Sequence, residues 1–240
     1  GEFTREDVIN TLDMFSETML GKGVVSCSDT PGFLANRVGV FAIQCALYKA
    51  FKYKLSPTEA DAFFGRPLGL PKTGVFGLYD LIGIDLMADV VKSLVSILPK
   101  NDAFHKYSSP IEFMTAMIAN GQTGNKNEKG FYKQAGDERQ VIDLSNGNYG
   151  THERLKTPLL EEAEKIGISV ILNDKSPYGL YIWEVVSETL CYAASLVPEV
   201  TEDLTKIDDA MKLGYNWIKG PFELLDEIGI EYFVKRLKND

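Results

Sequence analysis

The sequence predicts a mainly α-helical protein, and three observations carry that expectation. Apolar residues recur at three- and four-residue spacing over most of the chain, which places them on helix faces. Helix-start chemistry recurs between these segments. It is clearest at Ser56-Pro57-Thr58-Glu59, with a Ser cap, a Pro in the first position and a Glu in the third. The chain also repeats itself: residues 74–85 return as residues 220–231, at an offset of 146.

Composition narrows the function classes. A chain of 240 residues can build one or two domains with real cores. A net charge of −9 argues against general nucleic-acid binding, so an anionic ligand would need a local basic patch or a helix N-terminus. No apolar run reaches the length of a membrane span, and the first residues lack the pattern of a signal peptide. Cys27, Cys45 and Cys191 sit far apart in apolar contexts, so buried free thiols and a cytoplasmic location are expected. His105 and His152 are too isolated for a metal cluster and are expected at the surface.

The elements follow in order. Thr4 can cap a helix, Asp7 suits its first turn, and Val8, Leu12, Phe15 and Met19 mark one face before Gly21 ends it. Residues 22–27 then predict a short strand. A helix followed by a short apolar strand is one unit of an α/β sheet. No partner strands follow nearby, so it reads as the last unit of a sheet whose body is missing. Pro31-Gly32 breaks the chain, and residues 33–53 predict a central helix, apolar nearly all round. Further helices are expected from Ser56, over 76–82 and 86–98 with Gly83 between them, and over 110–120. Residues 65–72 are a Gly/Pro loop, and residues 121–130 are a polar, basic loop. Residues 137–150 suit a small β-hairpin ahead of Asn146-Gly147. Helices are then expected over 151–166, 178–196, 201–214, 221–228 and 231–237.

The offset of 146 also pairs Pro31 with Pro177 and Cys45 with Cys191. It predicts two copies of a helical unit that bury apolar faces against each other, a homodimer imitated within one chain. At this offset Asn36 faces Ile182 and Arg37 faces Trp183, so the second copy has lost the polar pair. Phe76 and Phe222 occupy equivalent positions and are expected in the core.

Four segments then carry a resemblance. Asp29-Thr30-Pro31-Gly32-Phe33 with Asn36-Arg37 resembles the entry to the C-terminal helical domain of the 3-hydroxyacyl-CoA dehydrogenases. Pro71-Lys72-Thr73-Gly74-Val75-Phe76 with residues 80–85 is similar to a later part of that domain, and residues 125–132 to its Lys-rich Gly-Phe-Tyr segment. Residues 208–226 match the family pattern again, in the second copy. Tandem copies resemble the large bifunctional β-oxidation enzymes, which also carry an enoyl-CoA hydratase domain.

The resemblance implies a domain plan. Residues 1–28 would end a dinucleotide-binding (Rossmann) domain and 29–133 would form the first helical C-terminal domain. Residues 134–150 would be a linker or small hairpin, and 151–240 a second, degenerate helical domain. It implies oxidation of a 3-hydroxyacyl-CoA to the 3-oxoacyl-CoA, with NAD held mainly by the Rossmann domain that this sequence lacks. The family's His base, its Glu partner and its Gly-rich loop lie in that domain; here no such loop follows a strand, and neither His105 nor His152 stands in the family's His-Phe-Asn-Pro context. The implied partners are the acyl-CoA substrate, the Rossmann domain and a fused hydratase domain.

Asn36 is the catalytic candidate. By resemblance it hydrogen-bonds the substrate oxygen, which an amide does without titrating; the alternative is an Asn satisfied by backbone at a helix start. Lys126 is the cofactor-binding candidate, matching the family lysine that approaches NAD, against a solvated loop lysine. This loop departs from the family's Gly spacing, because Glu128 stands where a Gly is common. Arg37 reads as a structural ion-pair former or solvent-facing group. Lys72-Thr73 could reach substrate or start a helix. Tyr215, Trp183 and Trp217 read as core of the second copy, with an acyl pocket as the alternative. Two other functions stay open: the helical domain of another hydroxy-acid dehydrogenase, and a non-catalytic dimerisation or docking module. The leading reading predicts that the purified chain alone will not reduce NAD with 3-hydroxybutyryl-CoA. An absorbance assay checks it, and reduction by this chain would overturn it.

Overall fold

The structure is a computed structural model that describes residues 3–239. Two long helices form its centre. Helix α2 (Ala35–Lys52) buries Val38, Phe41, Ile43, Cys45 and Leu47, and α9 (Pro177–Ser195) buries Tyr181, Val185, Leu190 and Tyr192. The apolar character that the sequence shows nearly all round α2 has its cause here, because each of the two helices packs against the other and against shorter helices on its remaining sides. Phe41 stacks on Tyr192 with ring centroids 4.1 Å apart, near the start of α2 and the end of α9. At the other end of α2, Lys49 and Lys52 meet Glu184 near the start of α9. The two helices therefore run antiparallel.

Short helices surround this pair: α3 (Pro57–Phe63), α4 (Phe76–Ile82), α5 (Ile84–Ile97) and α6 (Glu112–Ala119) in the first half of the chain. The second half adds α7 (Pro158–Ile166), α8 (Ser169–Asn173), α10 (Leu204–Tyr215), α11 (Pro221–Ile228) and α12 (Ile230–Leu237). The predicted cap at α3 forms in full: Glu59 N donates to Ser56 Oγ, and Ser56 N donates to Glu59 Oε2 at 2.8 Å.

The two repeated segments adopt the same arrangement. Asp61 of α3 accepts from the first N–H groups of α4, Phe76 N at 2.7 Å and Gly77 N at 3.0 Å. Asp208 of α10 accepts from Phe222 N at 2.8 Å and Glu223 N at 3.3 Å at the start of α11. A carboxylate at a helix N-terminus satisfies orphan donors and complements the dipole. Gly74 and Gly220 leave room for it, since a Cβ on either would lie within 2.3 Å of the aspartate. Gly83 (φ 112°, ψ 123°) and Gly229 (φ 89°, ψ 115°) then turn the chain into α5 and α12 through nearly the same left-handed backbone.

Several expectations are corrected. Residues 22–27 form no strand, because extended backbone becomes a strand only with a partner ladder. Helix α1 (Glu6–Met14), continued by a wide turn over Phe15–Met19, is present, but Leu12, Phe15 and Met19 are exposed. The expected hairpin is a three-stranded antiparallel sheet, β1 (Tyr132–Ala135), β2 (Glu138–Ile142) and β3 (Tyr149–Thr151), in that order. Residue 151 therefore belongs to a strand, and the helix expected from it starts only at Pro158, capped by Thr157. Phe222 is only half-buried, whereas Phe76 is fully buried. Of the cysteines only Cys45 is buried, and burial pushes its thiol up to about 12; Cys191 is exposed. The histidines are half-buried rather than at the surface: His152 bonds Thr58 Oγ1 and lies edge-on to Tyr132. No helix among the described residues is long and apolar enough to cross a membrane.

The α2–α9 seam carries charge at its far end. Burial pushes the Glu184 carboxyl up, but bonds from Lys49, Lys52 and Tyr53 outweigh it and hold the group at about 2. A carboxyl lowered on folding contributes stability above its ordinary value near 4.5, and that contribution is lost as pH falls from there toward about 2. Glu184→Gln is expected to lower stability at pH 7 by about 1.5–3 kcal/mol, the scale of hydrogen bonds to charged groups. Thermal melts of both proteins across the acid range check this: their midpoints should converge as the pH falls.

Candidate active site

Asn36 sits in the first turn of α2, with its side chain exposed where the helix emerges from the core. Its Oδ1 accepts from the Tyr215 hydroxyl at 3.1 Å, and its Nδ2 has no protein acceptor among the described residues. Asn36 lines an open cavity of about 430 Å³, within the range of small-molecule sites. The first half of the chain supplies apolar walls from Ile43, Phe64, Leu70, Leu78 and Ile82, with Thr73 beside them. The end of α10 and the turn after it supply a further wall, Tyr215, Asn216 and Trp217. A backbone bond from Ile218 N to Gly69 O, 2.8 Å, ties that turn to the first half. Phe64, Leu70 and Trp217 also border a second apolar gap of only about 20 Å³, so the open space ends at them. A mainly apolar cavity with a few polar groups on its rim, Asn36, Thr73 and Asn216 among them, suits a ligand that carries polar oxygen on an apolar chain.

Arg37, next in sequence, points the other way and is buried. Its Nη2 lies 2.6 Å from Asp102, its Nε donates to the Tyr192 hydroxyl at 2.9 Å, and its Nη1 faces Glu199 at 3.5 Å. The ion-pair reading of Arg37 therefore holds and the solvent-facing one does not.

Lys126 is not brought to the cavity. It lies on a short turn, Asn125–Asn127, with Nζ 2.6 Å from Asp85 Oδ2 and about half its side chain exposed. Its bond holds the Asp85 carboxyl below the usual range. The ammonium stands beside Gly83, the residue after cavity-lining Ile82. The loop that presents it closes on Asp80, whose carboxylate accepts from Phe131 N at 2.8 Å and Tyr132 N at 2.7 Å. Burial pushes Asp80 up to about 6 against those two bonds. Gly124 and Gly130 crowd the same residue, and a Cβ on either would overlap it. Thr73 does reach the cavity, whereas Lys72 is exposed outside its lining.

Sequence reasoning assigned Tyr215 and Trp217 to the core of the second copy, and the structure places both on the cavity wall. Trp183 is fully core, packed on Phe233, whereas Tyr215 and Trp217 are half-buried, packed on the core on one side and facing the cavity on the other. The available signal was their position between Gly214 and Gly220-Pro221, at a helix end and the turn beyond it rather than in mid-helix. Groups of metal-ligating side chains are absent among the described residues.

Known proteins resemble this chain in sequence and in fold. Residues 32–134 match the family model of the 3-hydroxyacyl-CoA dehydrogenase C-terminal domain. A Rickettsia prowazekii protein named as a fatty acid oxidation complex trifunctional enzyme is 39% identical over 225 residues, covering 92% of this chain and 30% of that protein. A Bacillus subtilis protein named as a probable 3-hydroxyacyl-CoA dehydrogenase is 33% identical over 241 residues, covering 98% of this chain and 30% of that protein. The chain thus spans about a third of the length of these relatives. The crystal structure of 3-hydroxybutyryl-CoA dehydrogenase from Escherichia coli shares the fold, with a TM-score of 0.67 at 22% identity over 98% of this chain and 61% of that one.

One departure from the family pattern has a backbone cause. Glu128 adopts φ 55°, ψ 13°, left-handed geometry that costs a residue with a side chain about 1–2 kcal/mol. Glu128→Gly should relieve that strain, offset by the greater freedom of Gly in the unfolded chain. A net gain of about 0.5–1 kcal/mol is expected, read as a rise in the unfolding midpoint; a loss of stability would contradict it.

Proposed function

We propose that the chain is the substrate-binding helical portion of an NAD-dependent 3-hydroxyacyl-CoA dehydrogenase of fatty acid β-oxidation, a reading supported by the match of residues 32–134 to the C-terminal domain of that family. The observation that carries the proposal is Asn36, with Oδ1 engaged and Nδ2 unengaged, on the wall of an apolar cavity. In this reading the amide N–H donates to the substrate's 3-oxygen, and the walls of Phe64, Leu70, Leu78 and Trp217 take the adjoining acyl carbons. An amide keeps its donor at every pH, so charge developing on that oxygen meets a fixed dipole.

In this reading the nucleotide is held mainly by residues outside this chain. The described residues hold no parallel sheet, and the sequence has no Gly-rich strand-to-helix turn. Lys126 is the one group we assign toward NAD, as an ammonium beside a phosphate or ribose oxygen, exchanging its bond to Asp85 for it. The His–Glu pair and the nucleotide loop then belong to a Rossmann domain that ends with residues 1–28. The exposed Leu12, Phe15 and Met19 of that segment support this, because an apolar face of this kind is normally covered. Residues 151–240 are read as a degenerate second copy that stands in for a dimer partner. The paired aspartate caps and the paired glycine turns, at the same offset as the sequence repeat, support that reading. The name of the Rickettsia relative supports fusion to further catalytic domains, with an enoyl-CoA hydratase as the expected one.

Steady-state kinetics of the enzyme that includes the dinucleotide-binding domain test the proposal. Asn36→Ala should lower kcat by about 10²-fold or more, the scale of losing an oxyanion donor, while the melting temperature stays unchanged because the side chain is exposed. A near-wild-type rate would overturn the assignment. Lys126→Ala should raise KM for NAD and leave KM for the acyl-CoA unchanged; the reverse pattern would remove Lys126 from the nucleotide side.

A further inference from the structure

Asn36 is useful only if its amide faces the right way. A free amide on an exposed helix turn can present either end, and its oxygen would repel the oxygen that the nitrogen should bind. We propose that Tyr215, contributed by the second half of the chain, is the positioning residue that fixes the Asn36 amide with Nδ2 toward the cavity. The inference rests on the reading of Asn36 given under Proposed function.

Three features build the arrangement. Tyr215 lies against bare helix backbone: a Cβ on Gly39 would sit 2.2–2.7 Å from three atoms of its ring. Gly39 is one turn along α2 from Asn36, so the ring resting in that notch brings its hydroxyl to Oδ1. The turn carrying Tyr215 is held on both sides. Gly214 approaches Ala35 so closely that its Cβ would lie 3.3 Å from that methyl, and Ile218 N bonds Gly69 O. The phenol finds no other acceptor among the described residues, so its proton goes to Oδ1 and the amide nitrogen is left for the cavity. Burial pushes the phenol up to about 12, so it remains a donor at any working pH. A ring that only packed would have no need to place its hydroxyl on the side-chain oxygen of Asn36, a residue on the cavity wall.

The test is a calorimetric titration of the full chain with acetoacetyl-CoA and with butyryl-CoA, which lacks the 3-oxygen. The wild-type chain should prefer acetoacetyl-CoA by about tenfold, the worth of one hydrogen bond. Tyr215→Phe keeps the ring in its notch and removes only the donor; it should erase the preference and leave butyryl-CoA affinity unchanged. Gly39→Ala, which pushes the ring away, should likewise erase the preference. Tyr215→Phe added to Asn36→Ala should change nothing further, because both act through one amide. Retention of the preference in Tyr215→Phe, or independent losses that add in the double variant, would overturn the role of Tyr215 and leave Asn36 standing. A wild-type chain that binds neither ligand or shows no preference, or a preference that survives Asn36→Ala, would overturn the reading of Asn36 and the inference with it.

Discussion

Arg37 lies buried between α2 and α9, its guanidinium bonded to Asp102 and to Tyr192, while Tyr192 stacks on Phe41. Desolvating a guanidinium costs several kcal/mol, and only a partner carboxylate and further hydrogen bonds offset it. Those partners come from both halves of the chain: Asp102, just ahead of a short turn in the first, and Tyr192 of α9 with Glu199 beyond it in the second. A slip of α9 by one turn would separate Arg37 from Tyr192. At the other end of the seam Lys49 is also nearly buried, between Glu184 at 2.5 Å and Glu188 at 2.7 Å. Hydrophobic contact alone would hold the two helices together without fixing their register. The two buried cations, one near each end, admit a single alignment.

That alignment reaches the cavity. Helix α10 packs on α2, and its last residue, Tyr215, falls beside Asn36 only when the seam is in register. The cavity therefore has two owners: its apolar floor belongs to the first half, and its aromatic wall to the second. A ligand there would touch both halves, so the seam also determines the shape that such a ligand meets.

The helices and their boundaries were largely legible in the sequence because their signals are local. Ser56 to Glu59 formed the cap that their types and spacing require, and Pro221 opened α11 where its fixed φ costs nothing. The failures were non-local. Residues 22–27 have the composition of a strand, but pairing depends on a partner that composition does not reveal. Thr151 lies in a stretch of helical character, yet β2 captured it. Among the candidate site residues, Asn36 and Lys126 came from resemblance, and the structure added where each one points. Tyr215 was invisible in that role. Nothing in its neighbours announces a hydrogen bond to a residue 179 positions away, and Gly39, which makes room for it, reads in sequence only as an imperfect helix former.

The two halves are alike in their backbones and unlike in their chemistry. Each caps a helix with an aspartate from the helix before it and turns on a glycine of matching geometry. The differences lie where a ligand could matter. Asn36 has become Ile182, which is fully buried, and Asp80, which anchors the Lys126 loop, has become Asp226, which is exposed and has no such loop to hold. A scaffold with two equivalent sites would need both to stay polar and open, at a cost in buried area on each side. Losing one amide lets the second half bury that surface, as Ile182 does, and strengthens the seam. The second half presents Tyr215 and Trp217 to the cavity of the first. In the proposed reading the asymmetry of the sequence is a division of labour: one half carries the polar group, and the other supplies the contact that orients it and the wall that encloses it.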